Sequence, residues 1–117
     1  MYQTTVFVTF QLEGFHNFPK VKEIFPEVGF LSNIHRHMFH FKLEKQVNHD
    51  DRDVEFIMFK RQIIDYLQSN YYDFRFKALL FSSMSCEMIA KELLEHFNCI
   101  SVEVSEDGEN GAKITKI

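Results

Sequence analysis

The chain has no tryptophan and, among 117 residues, only two cysteines, two prolines and four glycines. Cys86 and Cys99 match no metal-ligand spacing, and a single pair of thiols does not make a disulfide scaffold, so a reducing cytoplasm is the expected setting. Nowhere do about 18 apolar residues follow one another, and the stretch from Met1 to Val6 lacks the basic start and apolar run of a signal peptide. Neither secretion nor a membrane span is expected. A basic surplus is also missing: 13 Lys and Arg stand against 17 Asp and Glu, dispersed along the chain, which argues against a nucleic-acid or anionic-membrane surface. No repeat, linker or low-complexity tract divides the chain, so one domain over residues 1–117 with a small-molecule or protein partner is expected.

What is present is periodicity. From Thr4 to Leu12 the residues Val6, Val8, Phe10 and Leu12 alternate with others, which predicts a strand with one buried face, broken at Glu13-Gly14. Phe18 to Phe30 holds both prolines, Pro19 and Pro26, and reads as an irregular loop. A second strand is expected from about Asn33 to Val47. Phe56, Phe59, Ile63 and Leu67 recur at helical spacing, predicting a helix from Glu55 to Ser69, and Asn70 to Ser83 reads as irregular. Ser83 or Ser85 caps a second helix with the stripe Ile89, Ala90, Leu93, Leu94 and Phe97, ending near Asn98. Ile100, Val102 and Val104 alternate as a third strand; a turn at Asp107 to Gly111 returns the chain as a fourth, Ala112 to Ile117. The expected architecture is α+β, a four-stranded antiparallel sheet in ββααββ order with both helices on one face.

On the second strand His35 and His37 share one face with Phe39 and Phe41, so two imidazoles aim at one point. An H-x-H pair alone needs no ligand, and zinc asks for a third protein donor. His16, after the first strand, is that donor if the two strands pair. His40 faces the other way, His49 lies in a turn, and His96 near a helix C-terminus is favoured there without any chemistry.

The segment from Phe10 to Phe18, with His16 inside it, and His35-Arg36-His37 resemble the zinc-binding motifs of the 6-pyruvoyl-tetrahydropterin synthase and 6-carboxytetrahydropterin synthase family. Val54-Glu55-Phe56 with Lys60, Ser85-Cys86-Glu87 and Val102-Glu103-Val104-Ser105-Glu106 followed by Gly111 resemble that family's later motifs, in its order, over about residues 6 to 114. The resemblance implies a tunnelling fold, Zn²⁺ on His16, His35 and His37, and a pterin substrate held by Glu106, whose carboxylate can accept two N–H bonds from the 2-amino group and the adjacent ring nitrogen. It also implies a homo-oligomer, a trimer or a hexamer, with pockets between subunits, and a place in tetrahydrobiopterin or 7-deazaguanine (queuosine) synthesis.

Two departures touch the chemistry. Leu31 stands where the carboxy-forming branch has its general-base Cys, and Tyr72-Asp73-Phe74 is the nearest counterpart of the family's Leu-Asp-His, with Phe74 for the acid-base His. Ser32, the nearest hydroxyl, and Asp73 are then the remaining candidates for catalytic proton transfer, and each lost acid-base group costs about 10²–10⁴-fold. The expected function is a zinc-dependent pterin-processing lyase acting on 7,8-dihydroneopterin triphosphate or a relative. The alternatives are a catalytically altered zinc- and pterin- or purine-binding homologue and an α+β protein whose histidines are incidental.

Overall fold

The computed structural model describes residues 1–117. Six strands form one sheet: β1 (Thr5–His16), β2 (His35–Gln46), β3 (Tyr72–Asp73), β4 (Ala78–Ser82), β5 (Ser101–Glu106) and β6 (Asn110–Thr115), in the spatial order β3-β4-β1-β2-β5-β6. Four helical segments accompany them: α1 (Val21–Ile24), a 3-10 segment (Pro26–Ser32), α2 (Phe56–Tyr71) and α3 (Cys86–Phe97). The class is α+β as expected, but the four-stranded antiparallel sheet is corrected to a mixed six-stranded one, because β4 runs parallel to β1 and carries β3 at the edge.

The missed strands have a physical reason. Ala78, Leu79 and Phe81 are all buried, so β4 is a short continuous apolar run with none of the alternation that marks a half-exposed strand. β3 is only two residues long. The expected loop before β2 also contains structure, α1 and the 3-10 turn, which pack locally around the buried Val21.

β1 runs through the break expected at Glu13-Gly14 and ends at His16, four residues beyond Leu12. A Cβ on Gly14 would lie 2.9 Å from Phe39 Cδ2 and 3.2 Å from Phe81 Cε2, so glycine sits in the strand because two rings occupy its side-chain space. The whole of β1 then pairs antiparallel with β2, from Thr5 opposite Gln46 to His16 opposite His35. Residues opposite one another share a face, so Val8, Gly14 and His16 lie with His35, His37, Phe39, Phe41 and Leu43. β5 adds Val102, Val104 and Glu106 opposite Leu43, Phe41 and Phe39.

Both helices cover this face. α2 buries Phe59, Ile63 and Leu67, one per turn, and the Glu55 carboxylate caps it by accepting the Ile57 and Met58 N–H groups. α3 buries Cys86, Ile89, Ala90 and Leu93; Ser85 caps it through Met88 N–H, and Asn98 closes it in the left-handed conformation at φ 53°. One core of sixteen residues joins sheet and helices, and its polar end is where the histidines emerge.

β6 needs glycine at one point. A Cβ on Gly111 would fall 2.1 Å from the Val104 carbonyl oxygen and 2.4 Å from Ser105 Cα, both backbone atoms that cannot rotate away. Gly111→Ala is therefore expected to lower stability by about 1–3 kcal/mol, as overpacking does, read as a lower urea midpoint with an unchanged slope; an unchanged midpoint would show that β6 moves freely from β5.

Candidate metal centre

Register places the three histidines together. His16 and His35 are direct cross-strand partners, and His37 is two residues along β2 on the same face, opposite the side-chain gap at Gly14. The ring centroids form a near-equilateral triangle, 4.7 Å (His16–His35), 4.9 Å (His35–His37) and 5.2 Å (His16–His37), each pair crossing steeply at 72–83°. Their potential ligand atoms all lie within 4.8 Å of one another, close enough for one metal ion. Phe39, fully buried, meets His16 and His37 edge-on and forms the floor.

Each ring has one nitrogen committed to an acceptor. His16 Nδ1–H donates to the Met84 carbonyl at 3.0 Å, His35 Nδ1–H to the Asn33 carbonyl at 2.8 Å, and His37 Nδ1–H to Asp107 Oδ2 at 2.8 Å. These acceptors put the hydrogen on Nδ1, so each neutral ring offers a lone pair on Nε2. Outer partners of this kind, two backbone carbonyls and a carboxylate, are what fix the tautomer and orientation of metal-ligating histidines. The Nε2 atoms of His16 and His37 are buried with no hydrogen-bond partner, and buried polar atoms without partners are rare enough to require an explanation. A cation among the three rings supplies one.

Electrostatics agree. Burial pushes the His16 pKa below its ordinary value, assisted by the neighbouring rings of His35 and His37 and opposed by the hydrogen bond to Met84 and by Glu106. His16 is thus held in the neutral form that binds metals. Asp107 is held below the usual carboxylate range, first by the His37 hydrogen bond and next by Met38 N–H, which reaches Oδ1 at 2.9 Å.

The sequence marks Asp107 only as a turn acid. It occupies the left-handed region at φ 59°, which Asp tolerates better than most residues, and its two oxygens clamp Met38 and His37 at once. Asp107→Asn is expected to weaken divalent-metal affinity by about 10–100-fold, the usual cost of losing an outer-shell partner, measured by competition with a chromophoric chelator; an unchanged affinity would show that the hydrogen bond does not orient His37.

The other residues singled out from the sequence divide. Glu106 joins the cluster: Oε2 lies 2.9 Å from His16 Nε2 and 3.6 Å from His37 Nε2, while Oε1 accepts the Asn110 side-chain N–H at 3.0 Å. Ser32 and Asp73 do not. The Ser32 hydroxyl donates to the Gly29 carbonyl, and Asp73 is bound by the Arg75 side chain, which holds its pKa down to about 2. Neither lines the cavity beside the histidines. That cavity, about 570 Å³, is walled by Phe18, Phe25, Leu31, Met84 and Met88 among apolar groups, and by Asn17, Ser85, Glu87 and Glu106 among polar ones. Cys86 also lines it, but burial, then the charges of Glu106 and Glu87, push its thiol up to about 12, so it carries no thiolate at neutral pH. His40, His49 and His96 lie elsewhere: His40 against Gly108, His49 near Asp53, and His96 stacked on Tyr66.

No helix is long and apolar enough to cross a membrane. A comparison with known protein families finds no match, and no curated protein matches the chain significantly.

Proposed function

We propose that this protein is a zinc-dependent pterin-processing lyase of the 6-pyruvoyl/6-carboxytetrahydropterin synthase kind, acting on 7,8-dihydroneopterin triphosphate or a close relative. The observation that carries the reading is the convergence of His16, His35 and His37, with two buried Nε2 atoms unpartnered, beside a cavity lined by His16, His35 and Glu106. Neutral imidazoles at this spacing suit zinc, which takes three protein nitrogens and keeps a position for a further ligand. When bound, the ion supplies a Lewis acid for a hydroxyl or carbonyl of the substrate side chain.

The chain's own residues supply the rest. The cavity volume lies within the range of small-molecule sites. Phe18 and Phe25 offer flat apolar walls for a bicyclic ring, and Glu106 offers the carboxylate that pairs with the 2-amino group and ring N–H. Ser85, Cys86 and Glu87, the segment that resembles the family's Thr-x-Glu, line the same hollow. Residues of four motifs, His16, His35, Ser85 to Glu87 and Glu106, thus meet in one place. Phe25 and Met88, at the wall of the cavity, are 57% and 56% exposed, which supports assembly into a trimer or hexamer that covers the pocket between subunits; sedimentation velocity on the intact protein tests this.

A second reading, a zinc-bearing pterin binder without turnover, is favoured by one observation: Leu31 lines the cavity where the family carries its general-base Cys. Incubating the zinc-loaded protein with 7,8-dihydroneopterin triphosphate and separating the products by chromatography and mass spectrometry decides. Shortening or loss of the side chain, abolished by His37→Ala, supports the lyase. Tight binding with the ligand recovered unchanged establishes the binder, and neither binding nor conversion overturns both.

A further inference from the structure

The contact between Glu106 and the histidines is unusual in kind. His16 donates through Nδ1 to Met84, so its Nε2 presents a lone pair, and the nearest atom facing it is a carboxylate oxygen 2.9 Å away. The same oxygen is 3.6 Å from His37 Nε2, whose ring likewise carries its hydrogen on Nδ1. With both rings neutral, three electron-pair donors face one another, in a place where the His16 side chain is 8% and that of Glu106 23% exposed. Such an arrangement is repulsive unless a proton or a metal ion lies between the donors.

The spacing is close to that of ligands on one ion. Nitrogen and oxygen donors bound to zinc at about 2.0–2.2 Å in a tetrahedron stand about 3.3–3.6 Å apart; the 3.6 Å approach to His37 matches that separation, and the 2.9 Å approach to His16 is shorter and widens as an ion enters. The carboxylate is also aimed. Asn110 holds Oε1, so Oε2 is the oxygen left for the centre, and the pairing of Glu106 with Phe39 fixes the strand position from which it reaches.

We infer that Glu106 is the fourth ligand of the metal centre, closing the resting ion, and that it is drawn off the ion when a ring bearing adjacent N–H donors enters the cavity. This rests on the reading of a resident divalent ion at the three histidines. It gives one carboxylate two exclusive tasks, because an oxygen bound to the ion is not free to accept a ring N–H. The resting centre is then shut to small anions and opens only with its ligand in place. No bond to carbon is made or broken in this exchange.

Cobalt(II) in place of zinc makes the centre visible. The wild-type protein, Glu106→Gln and Glu106→Asp are each loaded with Co²⁺, and affinity, visible spectrum and the response to thiocyanate are recorded. The expected result is one Co²⁺ per wild-type chain with a spectrum that thiocyanate leaves unchanged. Glu106→Gln binds Co²⁺ at least as much more weakly as loss of an outer-shell partner would make it, about 10–100-fold, with a shifted spectrum that thiocyanate alters. Glu106→Asp, which keeps the charge but withdraws the oxygen, behaves in the same direction. Saturating the wild-type with neopterin shifts its Co²⁺ spectrum, because a side-chain hydroxyl takes the position that Glu106 leaves, a readout that needs no variant to fold. Equal affinity and spectra in all three proteins, or a thiocyanate response in the wild-type alone, overturns the inference and leaves the histidine site standing. Failure of the wild-type to take up Co²⁺ overturns the histidine site itself. A wild-type spectrum that neopterin leaves unchanged overturns the release of Glu106.

Discussion

Alanine at His16, His35 or His37, one at a time, is expected to weaken binding of a divalent ion by about a hundredfold or more. Zinc centres of four protein ligands bind with about 10–16 kcal/mol, so one ligand accounts for roughly 3 kcal/mol, about a hundredfold or more in affinity. The three variants should behave alike, because the rings form one near-equilateral group and none sits outside it. His40→Ala and His96→Ala serve as controls and should bind as the wild type does. Competition against a chromophoric chelator measures all five. Loss confined to one of the three cluster variants would show that the other two histidines are bystanders.

The second large effect is on stability. In the metal-free chain the Nε2 atoms of His16 and His37 are buried without partners, a cost of about 1–3 kcal/mol each. An ion that binds the folded chain and not the unfolded one adds RT ln(1 + [L]/Kd), about 2.7 kcal/mol at a hundredfold excess over Kd. For a domain of this size that raises the melting temperature by roughly 10 °C. Thermal unfolding followed by circular dichroism with and without zinc checks this, and EDTA should reverse the gain. His37→Ala should show no gain; a rise that persists in that variant would place the binding elsewhere.

How much of this was legible in the sequence depends on what kind of information each part required. The shared face of His35 and His37 follows from strand alternation alone, and the structure keeps it. That His16 belongs with them depended on β1 continuing through Gly14, a residue that breaks a periodic pattern and whose reason for being there, the rings of Phe39 and Phe81, lies on other strands. β4 was hidden because a strand covered on both faces loses its alternation. Glu106 stood out through its motif, but its approach to His16 is a matter of inter-strand register, Glu106 opposite Phe39, which no local pattern encodes. Asp107 carried a weak signal, an Asp-Gly turn directly after a strand; its role needed the left-handed backbone that turns its carboxylate back onto β2. Ser32 stands out as the hydroxyl nearest Leu31 and Asp73 as the acid of Tyr72-Asp73-Phe74, but their side chains are already engaged by Gly29 and Arg75.

The central claim is that three imidazoles from β1 and β2 hold one ion. X-ray absorption at the zinc edge of the loaded protein tests it without any substitution. The account predicts three imidazole nitrogens at about 2.0–2.1 Å, with outer-ring scattering, and a further oxygen at about 2.0–2.2 Å. A shell of oxygens alone, or a single imidazole, would contradict it.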